Sequence, residues 1–159
     1  MVFTTTYKLD KPYFYECFDQ SLPYSKRAQP KYFLLALLVV LGLFGIYGLG
    51  DHYLGTFLLM LALLECIAFY YRRPWWVTRQ MLSKASNSEV TLTIDEQGVL
   101  SESFYHQGKI LWQDITTINE TNLGFVLHFK AGKSNGKSYL SKSCLSSDAQ
   151  QYIRAQNNS

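Results

Sequence analysis

Between positions 32 and 71 the chain is apolar at every periodicity, and on either side it is not. YFLLALLVVLGLFGIYGLG, at positions 32–50, carries no charge; YLGTFLLMLALLECIAFYY, at positions 53–71, carries one, Glu65. Each run is about 19 residues, roughly 28 Å as a helix, close to the hydrocarbon thickness of a bilayer. A helix with no polar face has nothing to turn toward water. Only Asp51 and His52 separate the runs, so the pattern predicts a transmembrane helical hairpin.

The flanks are patterned differently. Positions 2–9, VFTTTYKL, are rich in β-branched and aromatic residues and read as a strand. Asp10 is placed to cap a helix with Lys11 and Pro12 in its first turn. Tyr13, Phe14, Cys17 and Phe18 then recur at helical spacing. Positions 20–30, QSLPYSKRAQP, form a turn-rich connector. Beyond the second run, a short helix is expected within 77–87. Alternating stretches at 89–94, 99–105, 109–112, 114–120 and 124–130 predict strands. Asn135-Gly136, inside the polar stretch 133–137, is the strongest hairpin signal and predicts a turn, with 138–140 pairing back. Ser146 or Ser147 can cap a last helix over 148–155, with Asp148 at its positive end.

The expected class is therefore an α+β membrane protein: a two-helix transmembrane hairpin with a small β-rich cytoplasmic domain closed by a C-terminal helix. The expected divisions are 1–31 (strand, amphipathic helix, connector), 32–73 (hairpin), 74–87 (juxtamembrane linker) and 88–159 (β domain). Whether the N-terminal strand joins the later sheet is left open by the sequence.

Charge orients the hairpin. Lys26, Arg27 and Lys31 precede the first run; Arg72, Arg73 and Arg79 follow the second; the connecting turn has no Lys or Arg. The positive-inside rule puts both termini in the cytoplasm and the Asp51–His52 turn on the other side. Trp75 and Trp76, beside Tyr70 and Tyr71, read as an interfacial aromatic belt. A net charge of +3 over 159 residues does not indicate a nucleic-acid partner. The first run begins too late and is too long for a signal-peptide core, and is expected to stay in the mature protein. Cys17, Cys66 and Cys144 are far apart, which suits reduced thiols and neither zinc nor a disulfide framework.

Little chemistry is encoded. His52, His106 and His128 have no partners at ligand spacing. There is no phosphate-binding or nucleophile-elbow motif. No cofactor, metal or catalytic residue is expected. Glu65 is a candidate intramembrane polar site, because ionisable residues there are costly; the plainer reading has it reach the interface or Arg72. Gly42, Gly45 and Gly48 are candidate helix-packing positions, within the hairpin rather than between protomers. Trp112 reads as a core anchor and Asp114 as a turn residue. Lys130, Lys133, Lys137 and Lys142 form a basic stretch that could face anionic lipid.

The order of two apolar helices, basic and aromatic exit, VTLTIDEQGVLSES, ILWQDITTINET, an apolar strand and SYLSKSCLSS before a closing helix resembles the YcxB-like family of small bacterial membrane proteins. The most specific piece is TIDEQGV followed by Trp112, Gln113, Asp114 and Ile115. The proline that relatives often carry ahead of the closing helix is missing here; Lys142 matches. The resemblance implies a pleckstrin-homology-like cytoplasmic domain, a bent sheet capped by a helix, and no established activity. The expected function is a non-enzymatic interaction module whose partners are the lipid bilayer and a protein or lipid headgroup. One alternative is an immunity protein against a membrane-targeting toxin, and another is a self-associating transport or signalling component built around Glu65.

Overall fold

The computed structural model describes residues 1–25 and 28–157. They divide into two compact units: Met1–Pro23 together with the chain from Val77 onward, and Tyr24–Trp76.

The first unit is α+β with two antiparallel sheets. β1 (Phe3–Lys8), β2 (Glu89–Ile94), β3 (Gly98–Ser103) and β4 (Gln107–Leu111) form a four-stranded sheet in that order. β5 (Ile115–Glu120), β6 (Gly124–Ala131) and β7 (Ser134–Ser141) form a three-stranded sheet. The N-terminal strand thus does join the later sheet: β1 pairs with β2 from Phe3 opposite Ile94 to Lys8 opposite Glu89. The segment 1–31 is therefore split, with Met1–Pro23 in this unit, because 80 intervening residues do not prevent a ladder that packs the partly buried Phe3 and Tyr7 against the core.

Period-two patterning puts Leu92, Ile94, Val99, Ile118, Phe125, Leu127 and Leu140 into one core shared by both sheets. α5 (Ser147–Asn157) closes it with Ala149 and Ile153. Ser146 caps that helix, its hydroxyl accepting from the Ala149 N–H at 3.2 Å. α1 (Lys11–Ser21) begins at Asp10, whose carboxylate accepts from the Tyr13 N–H at 2.9 Å, and it buries Phe14 and Phe18.

One turn differs from expectation. Asn135 and Gly136 lie inside β7, paired with Lys130 and Phe129, and the reversal is made by Gly132 and Lys133. Gly132 has φ +62°, so it supplies the left-handed residue that a Gly-first two-residue loop needs. Gly136 is used for space instead: a Cβ there would sit 2.5 Å from the Phe129 ring. Core register overrides the local signal. This pairing places Phe125 opposite Leu140, both buried.

The second unit is an antiparallel pair, α2 (Tyr32–Tyr47) and α3 (His52–Tyr70). α2 stops short of the apolar run, whose end is Gly48-Leu49-Gly50 with Gly50 at φ +71°. α3 starts on Asp51, whose carboxylate accepts from the Leu54 N–H at 3.0 Å. A further helix, α4 (Arg72–Met81), begins directly after α3 rather than at Val77. Pro74 lies in its first turn, where a missing N–H costs nothing, so Trp75 and Trp76 are helical.

Candidate functional site

The α2–α3 pair meets through small residues. A Cβ on Gly42 would lie 2.9 Å from the Leu59 side chain, and one on Gly45 would lie 3.1 Å from Gly55 Cα. A Cβ on Gly55 would run into Ile46 and sit 2.6 Å from the Gly42 carbonyl. Gly42, Gly45, Gly55 and Ala62 are the buried residues of the two helices. Gly48 plays a different part: its neighbour is Phe44, one turn back in the same helix.

Much of the remaining apolar surface of the pair is turned outward. Leu41, Leu43, Phe44, Phe57, Leu63 and Ile67 are exposed. Aromatics gather at the two ends. Tyr47 and Tyr53 flank the turn, Tyr53 at 89% exposure, and Tyr32, Phe33, Tyr70 and Tyr71 mark the other end, Phe33 at 83%. Trp75 is exposed and Trp76 half-buried.

Of the cationic flank, Lys31, Arg73 and Arg79 are exposed; Lys26 and Arg27 lie outside the described residues. Arg72 stacks its guanidinium over the Phe69 ring at 3.8 Å. One of its terminal nitrogens is buried with no hydrogen-bond partner among the described residues. Glu65 is half-buried on α3. The i, i+7 approach to Arg72 is not made, because that side chain is taken by Phe69.

In the first unit, Trp112 and Asp114 occupy a single 3-10 turn between β4 and β5. Trp112 packs against the core, stands edge-on to Tyr152 at 6.1 Å, and donates its indole N–H to the Asp95 carbonyl at 2.8 Å. Ile115 packs beside it. Asp95 folds back to accept from the Gly98 and Gln97 N–H groups. Those bonds, that to Gly98 foremost, hold its carboxyl below the ordinary range.

The four lysines do not form one patch. Lys130, Lys133 and Lys137 are exposed on the β6–β7 hairpin. Lys142 lies past β7 and ties down the domain: its ammonium meets Glu120 at 2.8 Å and donates to the Thr121 carbonyl at 2.7 Å. Arg154 of α5 grips the same carboxylate, with Nη2 at 2.7 Å. These partners, Arg154 first, pull the Glu120 carboxyl from 4.5 down to about 2.

A polar seam that sequence reasoning did not single out joins α1 to β7. Glu16 accepts from the hydroxyls of Tyr139 and Ser141, each at 2.6 Å, and Tyr13 donates to the Tyr139 carbonyl at 3.2 Å. Burial, then Glu16, raises the Tyr139 phenol, and burial pushes the Cys17 thiol up to about 11. These groups are held protonated and bonded, which is an arrangement for cohesion rather than proton transfer. The available signal was parity: Tyr139 and Ser141 alternate to one face of β7, and Glu16 lies between Phe14 and Phe18 on α1.

No three His, Cys, Asp or Glu side chains among the described residues come together as a metal site. The geometry is that of an exposed apolar helix pair and a compact two-sheet domain. No protein-family model, no curated protein and no solved structure matches the chain.

Proposed function

We propose that the protein is a non-enzymatic anchored module of the bacterial inner membrane. Its α2–α3 hairpin crosses the bilayer, and its two-sheet domain offers a binding surface to a protein or lipid headgroup in the cytoplasm. The exposure of the hairpin carries this reading. The core helix of a soluble protein is mostly buried, whereas 11% of the apolar stretch of α3 is buried. Left in water, so large an apolar surface is an aggregation liability.

α3, with 19 residues, is long and apolar enough to span; α2 has 16. Connectivity supports a crossing by both. β1 precedes the hairpin, β2 follows it, and the two are hydrogen-bonded neighbours. A chain that leaves a sheet and returns to it crosses a bilayer an even number of times, so a crossing by α3 entails one by α2. The α2 helix covers about 24 Å against a core of about 30 Å. Leu49 beyond it and local thinning of the bilayer make up the difference. The same argument supports both termini lying on one side, and the Lys31, Arg72, Arg73 and Arg79 flank supports that side being the cytoplasm.

The four-strand and three-strand antiparallel sheets closed by a helix support a pleckstrin-homology-like domain. So does the link between the two motifs that carry the resemblance to YcxB-like proteins, since Trp112 is bonded to the Asp95 turn.

Labelling decides the topology. With Cys17, Cys66 and Cys144 replaced by Ser, His52→Cys is expected to react with a membrane-impermeant maleimide in intact cells, and Lys84→Cys only after lysis. Equal labelling of both sites in intact cells, or release of the chain by alkaline carbonate, overturns the reading. Crosslinking in the membrane followed by mass spectrometry then identifies the bound protein or lipid.

A further inference from the structure

Glu65 is the carboxylate of an otherwise uncharged stretch, positions 53–71. It lies one turn past the buried Ala62 and one turn before Phe69 on α3, beside the seam with α2, and is half-buried there. Gly45 opposite Gly55, with Gly42 beside Leu59, sets the antiparallel course of the pair. Continued along the helices, that course brings Glu65 level with Leu35 and Ala36 of α2, neither of which has a side-chain donor. Among the described residues Glu65 makes no hydrogen bond and no ion pair.

The routes to relief within the chain are closed. Arg72, seven residues on, is held over the Phe69 ring at 3.8 Å. Reaching past the helix end runs against the geometry of α3, because every Cα–Cβ bond of a helix tilts toward its N-terminus. For Glu65 that direction is toward the α2–α3 turn and away from Tyr70. A second copy brings no remedy: positions 32–71 contain no Lys or Arg, and His52 lies at the opposite end of α3. The surface beside Glu65 is nonetheless open to a neighbour. Ala68, three residues on and so on the same face, is exposed, and a small side chain lets another helix approach closely.

We infer that Glu65 is the acceptor for a Lys or Arg side chain on a transmembrane helix of another protein, seated along the Glu65–Ala68 side of α3. The inference rests on the reading that the hairpin spans the bilayer. Charge complementarity carries it. In hydrocarbon a carboxylate and a basic group are each costly alone, and paired they satisfy one another. The neighbour supplies the charge that this chain lacks at that depth, so it is selected by where its basic residue sits along its helix as well as by sign.

The test uses the full chain in phosphatidylcholine vesicles and a synthetic, Trp-free leucine–alanine helix of about 21 residues, dansylated at one end. One peptide carries a single Lys at the depth of Glu65, toward the dansyl end; the other has Leu in its place. Trp75 and Trp76 lie just past α3, so energy transfer from tryptophan to dansyl reads the association. The Lys peptide is expected to associate about tenfold more strongly than the Leu peptide. Glu65→Gln, which keeps the shape and removes the charge, is expected to abolish that preference, and Glu89→Gln, in the two-sheet domain, to leave it intact. Equal association of the two peptides, or a preference that survives Glu65→Gln, overturns the inference. A chain that does not float with the vesicles defeats the membrane reading and this inference together; a chain that floats and shows no preference defeats this inference alone.

Discussion

Trp112 donates its indole N–H to the backbone carbonyl of Asp95 at 2.8 Å, and its own backbone N–H donates to the Gln97 carbonyl at 3.1 Å. The turn that ends β2 and the turn that begins β5 are thereby one structure, and the two sheets meet there. Trp112→Phe keeps most of the aromatic area and removes the donor, and is expected to cost about 1 kcal/mol. Trp112→Ala, which also empties the space against Tyr152, is expected to cost about 3–5 kcal/mol. Thermal melting followed by the far-ultraviolet signal separates the two; equal losses would mean that the bond contributes nothing.

Acid should loosen the clasp between β5 and α5. The folded-state value of Glu120, about 2, lies below its ordinary value. Its contribution is therefore complete above about pH 4.5 and is lost as pH falls toward 2. The pair is solvent-exposed, so Glu120→Gln is expected to cost about 1 kcal/mol or less at pH 7. The stability difference between native chain and variant should shrink across that window. Asp95 titrates low as well, and taking the difference removes its share. A gap that stays constant down to pH 2 would show that the clasp is not an ionic one.

Gly55 sets the distance between α2 and α3. A methyl group there meets Ile46 and the Gly42 backbone, which cannot swing aside as a side-chain end can. Gly55→Ala is expected to force the helices apart and lower stability by about 1–3 kcal/mol. Gly48→Ala meets Phe44 of its own helix and should leave the interhelical distance alone. Spin labels on α2 and α3 measure that distance; an unchanged distance in Gly55→Ala would refute the packing argument.

The β6–β7 reversal offers a direct contrast. Gly132→Ala puts a Cβ on a residue at φ +62° and is expected to cost about 1 kcal/mol. Asn135→Ala, in an exposed strand position, should stay within about 0.5 kcal/mol. The reverse order, in chemical denaturation, would return the turn to Asn135-Gly136.

Much of this architecture was legible in the residues. Glu89–Ile94 was bounded correctly because its alternation is strict and a turn follows. Asp10 and Ser146 announce helix starts through short acceptors, and each makes its bond. What was not legible depends on distant partners. Asn135-Gly136 is a strong local signal, but register is chosen by Phe125 and Leu140, which the local window does not contain. Lys142 looked like part of a basic run until Glu120 took it. The pairing of β1 with β2 could not be read at all, since sequence separation says nothing about adjacency.

The pairing of Phe3–Lys8 with Glu89–Ile94 also favours an order of events. β1 is synthesised before its partner, which follows about 80 residues later. Closing so long a loop as free chain costs about 4 kcal/mol in entropy. Pairing α2 with α3 first brings the two flanks together and roughly halves the free chain, which recovers about 0.6 kcal/mol. Until then β2 presents an unpaired edge, open to the strand of another molecule. A chain whose helices have not paired therefore closes this ladder about threefold less readily, and its β2 edge stays open to another molecule for correspondingly longer.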